Sequence, residues 1–113
     1  MDIKVAHLPG GVAVVTPSDK LNMASAMELR EAISALVTAG MFFLVIDLSE
    51  VDFIDSSGLG GLVSGLKTAR QHGGDLRLAA PNDQVKLVLE LTNLDKVLVA
   101  YADSESALQA WPR

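Results

Sequence analysis

The sequence predicts an α/β domain in which helices pack on a mixed β-sheet, and three observations carry that prediction. β-prone runs alternate with segments whose apolar residues recur at helical spacing. Hydrophobic residues make up 50% of the chain, yet they fall in short runs well below the length that spans a bilayer. At 113 residues the chain buries one core and is too short for two ordinary domains, so residues 1-113 read as one unit.

Ile3 to His7 and Val12 to Thr16 are short strands, and the Pro9-Gly10-Gly11 turn between them predicts an antiparallel hairpin. From Ala24 to Ala39 the positions Ala26, Met27, Leu29, Ile33, Leu36 and Val37 repeat as one helix face. Asn22 or Ser25 serves as its N-cap and Gly40 as its stop. Met41 to Leu48 is a continuous apolar run, the pattern of a central strand covered on both faces. Val51 to Ile54 leads into Asp55-Ser56-Ser57-Gly58, where a second helix begins and carries Leu59, Leu62, Val63, Leu66 and Ala69 inward until Gly73-Gly74. Leu76 to Ala79 is then a strand and Asp83 to Leu91 a helix with Val85, Leu87, Val88 and Leu91 as its core stripe. Val97 to Tyr101 is a last strand, and Ser104 to Trp111 a terminal helix anchored at the edge by Trp111. The order is ββαβαβαβα, with parallel pairing wherever a helix carries the crossover.

Composition removes several classes of function. With no cysteine, the chain has no disulfide, thiolate nucleophile or Cys-ligated zinc. Nine Lys and Arg against fourteen Asp and Glu leave a net charge of −5, and the basic residues are scattered. That is the wrong electrostatic footprint for nucleic acid, and an aromatic content of 4% supplies few stacking platforms. The N-terminus, Met1-Asp2-Ile3-Lys4, has no basic region followed by an apolar stretch, so no export signal and no membrane insertion are expected, and the cytoplasm is the expected location.

The informative stretch is Asp52-Phe53-Ile54-Asp55-Ser56-Ser57-Gly58-Leu59-Gly60, which sets two hydroxyls and a carboxylate at a helix entrance. Capping accounts for one of them, since Ser and Asp oxygens accept hydrogen bonds from the first turn's orphan N–H groups. It does not account for Gly58, Gly60, Gly61 and Gly65, each costing about 1 kcal/mol against alanine within a helix. Glycines there imply close approach of another backbone or of a partner.

These residues carry a resemblance to the STAS domain family, and within it to the stand-alone anti-sigma factor antagonists. Asp55-Ser56-Ser57-Gly58-Leu59-Gly60 resembles the family's phosphorylation loop, and the element order, length and acidic charge are similar over almost the whole chain. The resemblance implies a binding module, not an enzyme, with no cofactor of its own. Its unphosphorylated form would sequester a serine-kinase anti-sigma factor, phosphorylation of Ser56 would inactivate it, and a PP2C-type phosphatase would restore it. The implied partner surface comprises Asn22, Asp55, Ser56, Ser57, Gly58, Leu59 and Gly60. One departure stands out: family members often carry Gly-x-Leu-Asp where this chain reads Asp19-Lys20-Leu21-Asn22, so the usual aspartate is an asparagine.

Rival readings are weaker. Gly58-Leu59-Gly60-Gly61 has neither the Gly-Lys-Ser/Thr ending of a P-loop nor Gly-x-Gly-x-x-Gly spacing. Asp47, Asp52 and Asp55 at strand ends form a conceivable magnesium cluster, though loop carboxylates are usually just solvated. Ser56 lacks the Gly-x-Ser-x-Gly setting of a hydrolase nucleophile, and His7 and His72 are isolated in sequence. A constitutive docking subunit of a transport or signalling assembly is the main alternative, followed by a small nucleotide-binding domain or enzyme.

Overall fold

The computed structural model describes residues 2–109 and Trp111. The hairpin forms as its turn chemistry requires: Gly10 and Gly11 adopt φ of 83° and 75°, a region open to glycine. They join β1 (Ile3–Leu8) to β2 (Val12–Pro17) in antiparallel register, with Ile3 opposite Pro17 and Leu8 opposite Val12. Then follow β3 (Asp19–Leu21), α1 (Met23–Thr38), β4 (Phe43–Asp47), β5 (Val51–Ile54) and α2 (Ser56–Gln71). The chain continues through β6 (Asp75–Ala79), α3 (Asp83–Leu91), a 3-10 turn at Leu94–Lys96, β7 (Ala100–Tyr101) and α4 (Ser104–Gln109).

Five strands form a mixed sheet in the order β1-β2-β4-β6-β7, parallel except for the hairpin. The strand β4 lies at its centre and is covered on both faces. Leu44 and Ile46 point into the main core with Leu29 and Ile33 of α1 and Leu62 and Leu66 of α2. Phe43 and Val45 point the other way, toward Ala107 of α4 and Trp111. The period-2 alternation of a strand thus feeds two helical layers.

The expected α/β class and mixed sheet are present, with differences of detail. Two short strands, β3 and β5, were not expected; they pair in parallel as a separate two-stranded sheet. The turn at Leu94–Lys96 shortens the expected last strand. The Val97 and Leu98 N–H groups bond back to the Leu94 carbonyl at 3.0 and 2.7 Å, which leaves only Ala100–Tyr101 in the ladder. In α3 the bounds agree, but Val85 and Leu89 are the buried pair while Leu87 and Leu91 face outward. In α1, Met27 is exposed. Residue 110 lies outside the described residues, and the terminal helix ends at Gln109. Trp111 clusters with Ala107 and Leu108 of α4, as an anchor for that helix does, but it is buried on the sheet face and not at an edge: it stands edge-on to Phe43 at 5.6 Å and 4.7 Å from the Arg77 guanidinium.

Asp47 ties α4 to the central strand. Its Oδ1 accepts the Ser49 N–H at 2.9 Å and its Oδ2 accepts the Ser104 hydroxyl at 2.8 Å. Burial pushes this carboxyl's pKa up, but the hydrogen bonds from Ser49 and Ser104 outweigh burial and hold it below the ordinary 3.8. A depressed native pKa means the unfolded chain binds the proton more readily. The stabilisation is therefore present above the ordinary carboxylate range and is lost as pH falls below it. Urea denaturation across pH 3 to 6 is expected to show a shallower acid loss for Asp47→Asn than for the wild type, about where carboxylates titrate.

Candidate functional site: two helix entrances side by side

The small β3–β5 sheet positions the site. Leu21 and Ile54 are register partners, and one residue later each strand delivers a helix cap, Asn22 for α1 and Asp55 for α2. The Asp55 N–H also bonds the Leu21 carbonyl at 3.1 Å, so the two entrances are joined through the backbone. Asn22 forms a capping box: its Oδ1 accepts the Ser25 N–H at 3.3 Å, while Ser25 Oγ accepts the Asn22 N–H at 2.8 Å. Ser25 Oγ in turn donates to the Lys20 carbonyl at 2.6 Å.

At α2 the capping duty falls on Asp55, whose Oδ1 accepts the Gly58 N–H at 2.9 Å. Ser56 and Ser57 are consequently the first two helical residues, released from capping. Ser56 is exposed and Ser57 half-buried. Among the described residues no hydrogen bond engages the Ser56 hydroxyl.

The α2 glycines divide into two kinds. A Cβ on Gly58 would collide with the Leu21 carbonyl, on Gly61 it would press Ala26 Cβ at 3.2 Å, and on Gly65 it would meet Ile33 Cδ1 at 2.6 Å. Those three let α2 sit against β3 and α1. Gly60 is different: its added Cβ meets only the Arg30 guanidinium, at 3.6 Å. Gly58→Ala is expected to destabilise the fold by about 1–3 kcal/mol through overpacking against backbone. Gly60→Ala is expected to stabilise it by up to about 1 kcal/mol through helix propensity. Paired urea melts read these opposite signs, and equal effects would contradict the packing described.

Of the seven residues expected at a partner surface, Asn22 and Ser56 are exposed, and Asp55, Ser57 and Gly60 are partly so. Gly58 and Leu59 are buried, so they support the surface from beneath and do not form it. Beside these residues α1 exposes side chains that the sequence did not single out for a surface. Met23 and Met27, 71% and 61% exposed, stand one turn apart and line a shallow concavity of about 330 Å³ with Arg30, Ser56 and Gly60. Exposed methionines are flexible, polarisable contacts suited to a protein partner.

Neither described histidine lies at this entrance. His72 caps the far end of α2, about 24 Å away at 1.5 Å per residue. There it stacks on Phe42 at 5.6 Å, and its Nδ1 lies 2.9 Å from the Thr68 carbonyl. Among the described residues no group of three or more His, Asp or Glu is placed to hold a metal. No described helix is long and apolar enough to cross a membrane.

A mixed sheet with two capped helices leaving a small parallel ribbon, one of them opening on an exposed serine, defines an α/β domain whose two helix entrances lie side by side. The chain belongs to the STAS domain family, whose model matches residues 4–107. It is 30% identical to the anti-sigma-B factor antagonist of Bacillus subtilis over 95 residues, covering 84% of this chain and 86% of that one. The crystal structure of an anti-sigma factor antagonist from Mycobacterium paratuberculosis superposes with a TM-score of 0.84 at 33% identity, covering 96% and 92% of the two chains. The anti-sigma factor antagonist SpoIIAA in its unphosphorylated form shares the fold with a TM-score of 0.81 at 16% identity, covering 99% of this chain and 100% of that one.

Proposed function

We propose that this chain is an anti-sigma factor antagonist of the cytoplasm, a binding protein with no cofactor, switched by phosphorylation of Ser56. In the unphosphorylated state it sequesters a serine-kinase anti-sigma factor through the α1 and α2 entrances. The kinase brings the ATP and modifies Ser56, and a PP2C-type phosphatase reverses the modification. The observation that carries this reading is the division of labour at α2: Asp55 holds the cap, so Ser56 is left at the first helical position with an exposed, unengaged hydroxyl. A phosphate there meets the positive end of the helix dipole and orphan N–H groups. Relatives named as antagonists of anti-sigma factors support the choice of partner.

The test is to recover the partner by pull-down, incubate it with this chain and ATP, and map phosphate by mass spectrometry. Phosphate is expected on Ser56, with none on the Ser56→Ala chain. Modification that persists in Ser56→Ala would remove the assignment. Asn22 favours a second reading, constitutive docking in a transport or signalling assembly, because an uncharged cap whose Oδ1 is engaged by Ser25 offers a kinase no carboxylate. In that case the partner binds and no phosphate appears.

A further inference from the structure

We propose that Arg30 of α1 receives the phosphoryl group placed on Ser56, an inference that rests on the phosphorylation reading above. Three observations converge on this arginine. Among the described residues Arg30 has no ion pair and no hydrogen bond; Lys20, Lys67, Lys86 and Lys96 are likewise without an ion pair, but of the described arginines Arg70 and Arg77 are each paired with Asp75. Its guanidinium lies over Gly60, 3.6 Å from where a Cβ would stand. It also shares the concavity with Ser56, and Arg30 is the charged side chain among the described residues lining it.

Direction matters here. A helical Cα–Cβ bond leans toward the helix N-terminus, so the Gly60 Cβ position projects toward the turn that holds Ser56 and Ser57. Residues i and i+4 share a face, and with glycine at 60 the position one turn beyond Ser56 carries no side chain of its own. The planar, always-charged guanidinium matches a phosphate dianion with paired N–H donors. The α2 helix itself carries no carboxylate, and its N-cap Asp55 has Oδ1 committed to the Gly58 N–H. Modification would draw Arg30 across the groove between α1 and α2. The phosphorylated state would then differ from the unmodified one in the shape of the Met23–Met27 concavity as well as in charge.

The test needs no kinase. Phosphoserine is incorporated at position 56 during translation, and the phosphate is titrated by ³¹P NMR in the wild type, Arg30→Gln and Arg30→Lys. A phosphoserine's second pKa is about 6. A paired arginine favours the dianion, so the wild-type phosphate is expected to titrate about half a unit below that of Arg30→Gln, with Arg30→Lys between. The difference should shrink in 1 M salt. Identical titrations in the three proteins would overturn the proposal, as would a shift that persists unchanged in high salt. Failure of the switch reading is read separately, as equal partner affinity of the phosphoserine and serine proteins.

Discussion

Phosphorylation of Ser56 is expected to weaken the complex with the partner kinase roughly a hundredfold or more while leaving the fold intact. The fold survives because the new charge, about −1.5 to −2, sits at a helix start where the dipole and free N–H groups stabilise anions. The penalty falls on the interface. An interface that closes over a neutral hydroxyl must desolvate or exclude a dianion, and Met23 and Met27 beside it offer the phosphate nothing. If about 3 kcal/mol of that cost appears in binding, affinity drops by roughly two orders of magnitude, since each 1.4 kcal/mol is tenfold. Ser56→Ala should bind nearly as the wild type does. Ser56→Asp should weaken binding only in part, because a carboxylate carries less charge and bulk than a phosphate. Far-UV circular dichroism of the modified protein is expected to match the unmodified one.

Leu62→Ala is expected to cost about 2–5 kcal/mol of stability, enough to leave a domain of this size marginal. Leu62 has 0% exposure and lies in the main core where α2 meets α1 and the sheet. Truncation removes the buried methyls and leaves a cavity that a helix held by Gly58, Gly61 and Gly65 collapses into poorly. The readout is the urea midpoint. An unchanged midpoint would mean that α2 does not pack as described, and the placement of Ser56 would fall with it.

Much of this arrangement is legible in the residues themselves. Asn22 reads as a cap because it precedes an apolar repeat, and Asp83–Leu91 reads as a helix with its observed bounds. The serines read as a helix entrance because apolar spacing resumes at Leu59. What escapes the sequence is what depends on a neighbour. Asp19–Leu21 and Val51–Ile54 are three- and four-residue strands mixing charged and apolar residues, and only their mutual pairing makes them strands. Met27 fits the inward stripe of α1 by spacing, yet the stripe is wider than the contact that α2 offers, and Met27 remains outside it. The glycines announce close approach without saying to what. Only the packed pair of helices separates Gly58, Gly61 and Gly65, which serve the core, from Gly60, which leaves room beside Arg30. That Asp55 and not a serine caps α2 is likewise a matter of geometry, since all three residues are competent caps.

In the switch proposed above, the state of one hydroxyl at the α2 entrance decides partner binding. Isothermal titration of the partner kinase into unmodified and Ser56-phosphorylated protein tests it most directly. The prediction is tight binding of the unmodified form and affinity lower by roughly two orders of magnitude for the phosphorylated form. Equal affinities for the two forms would contradict it and leave a constitutive docking surface in its place.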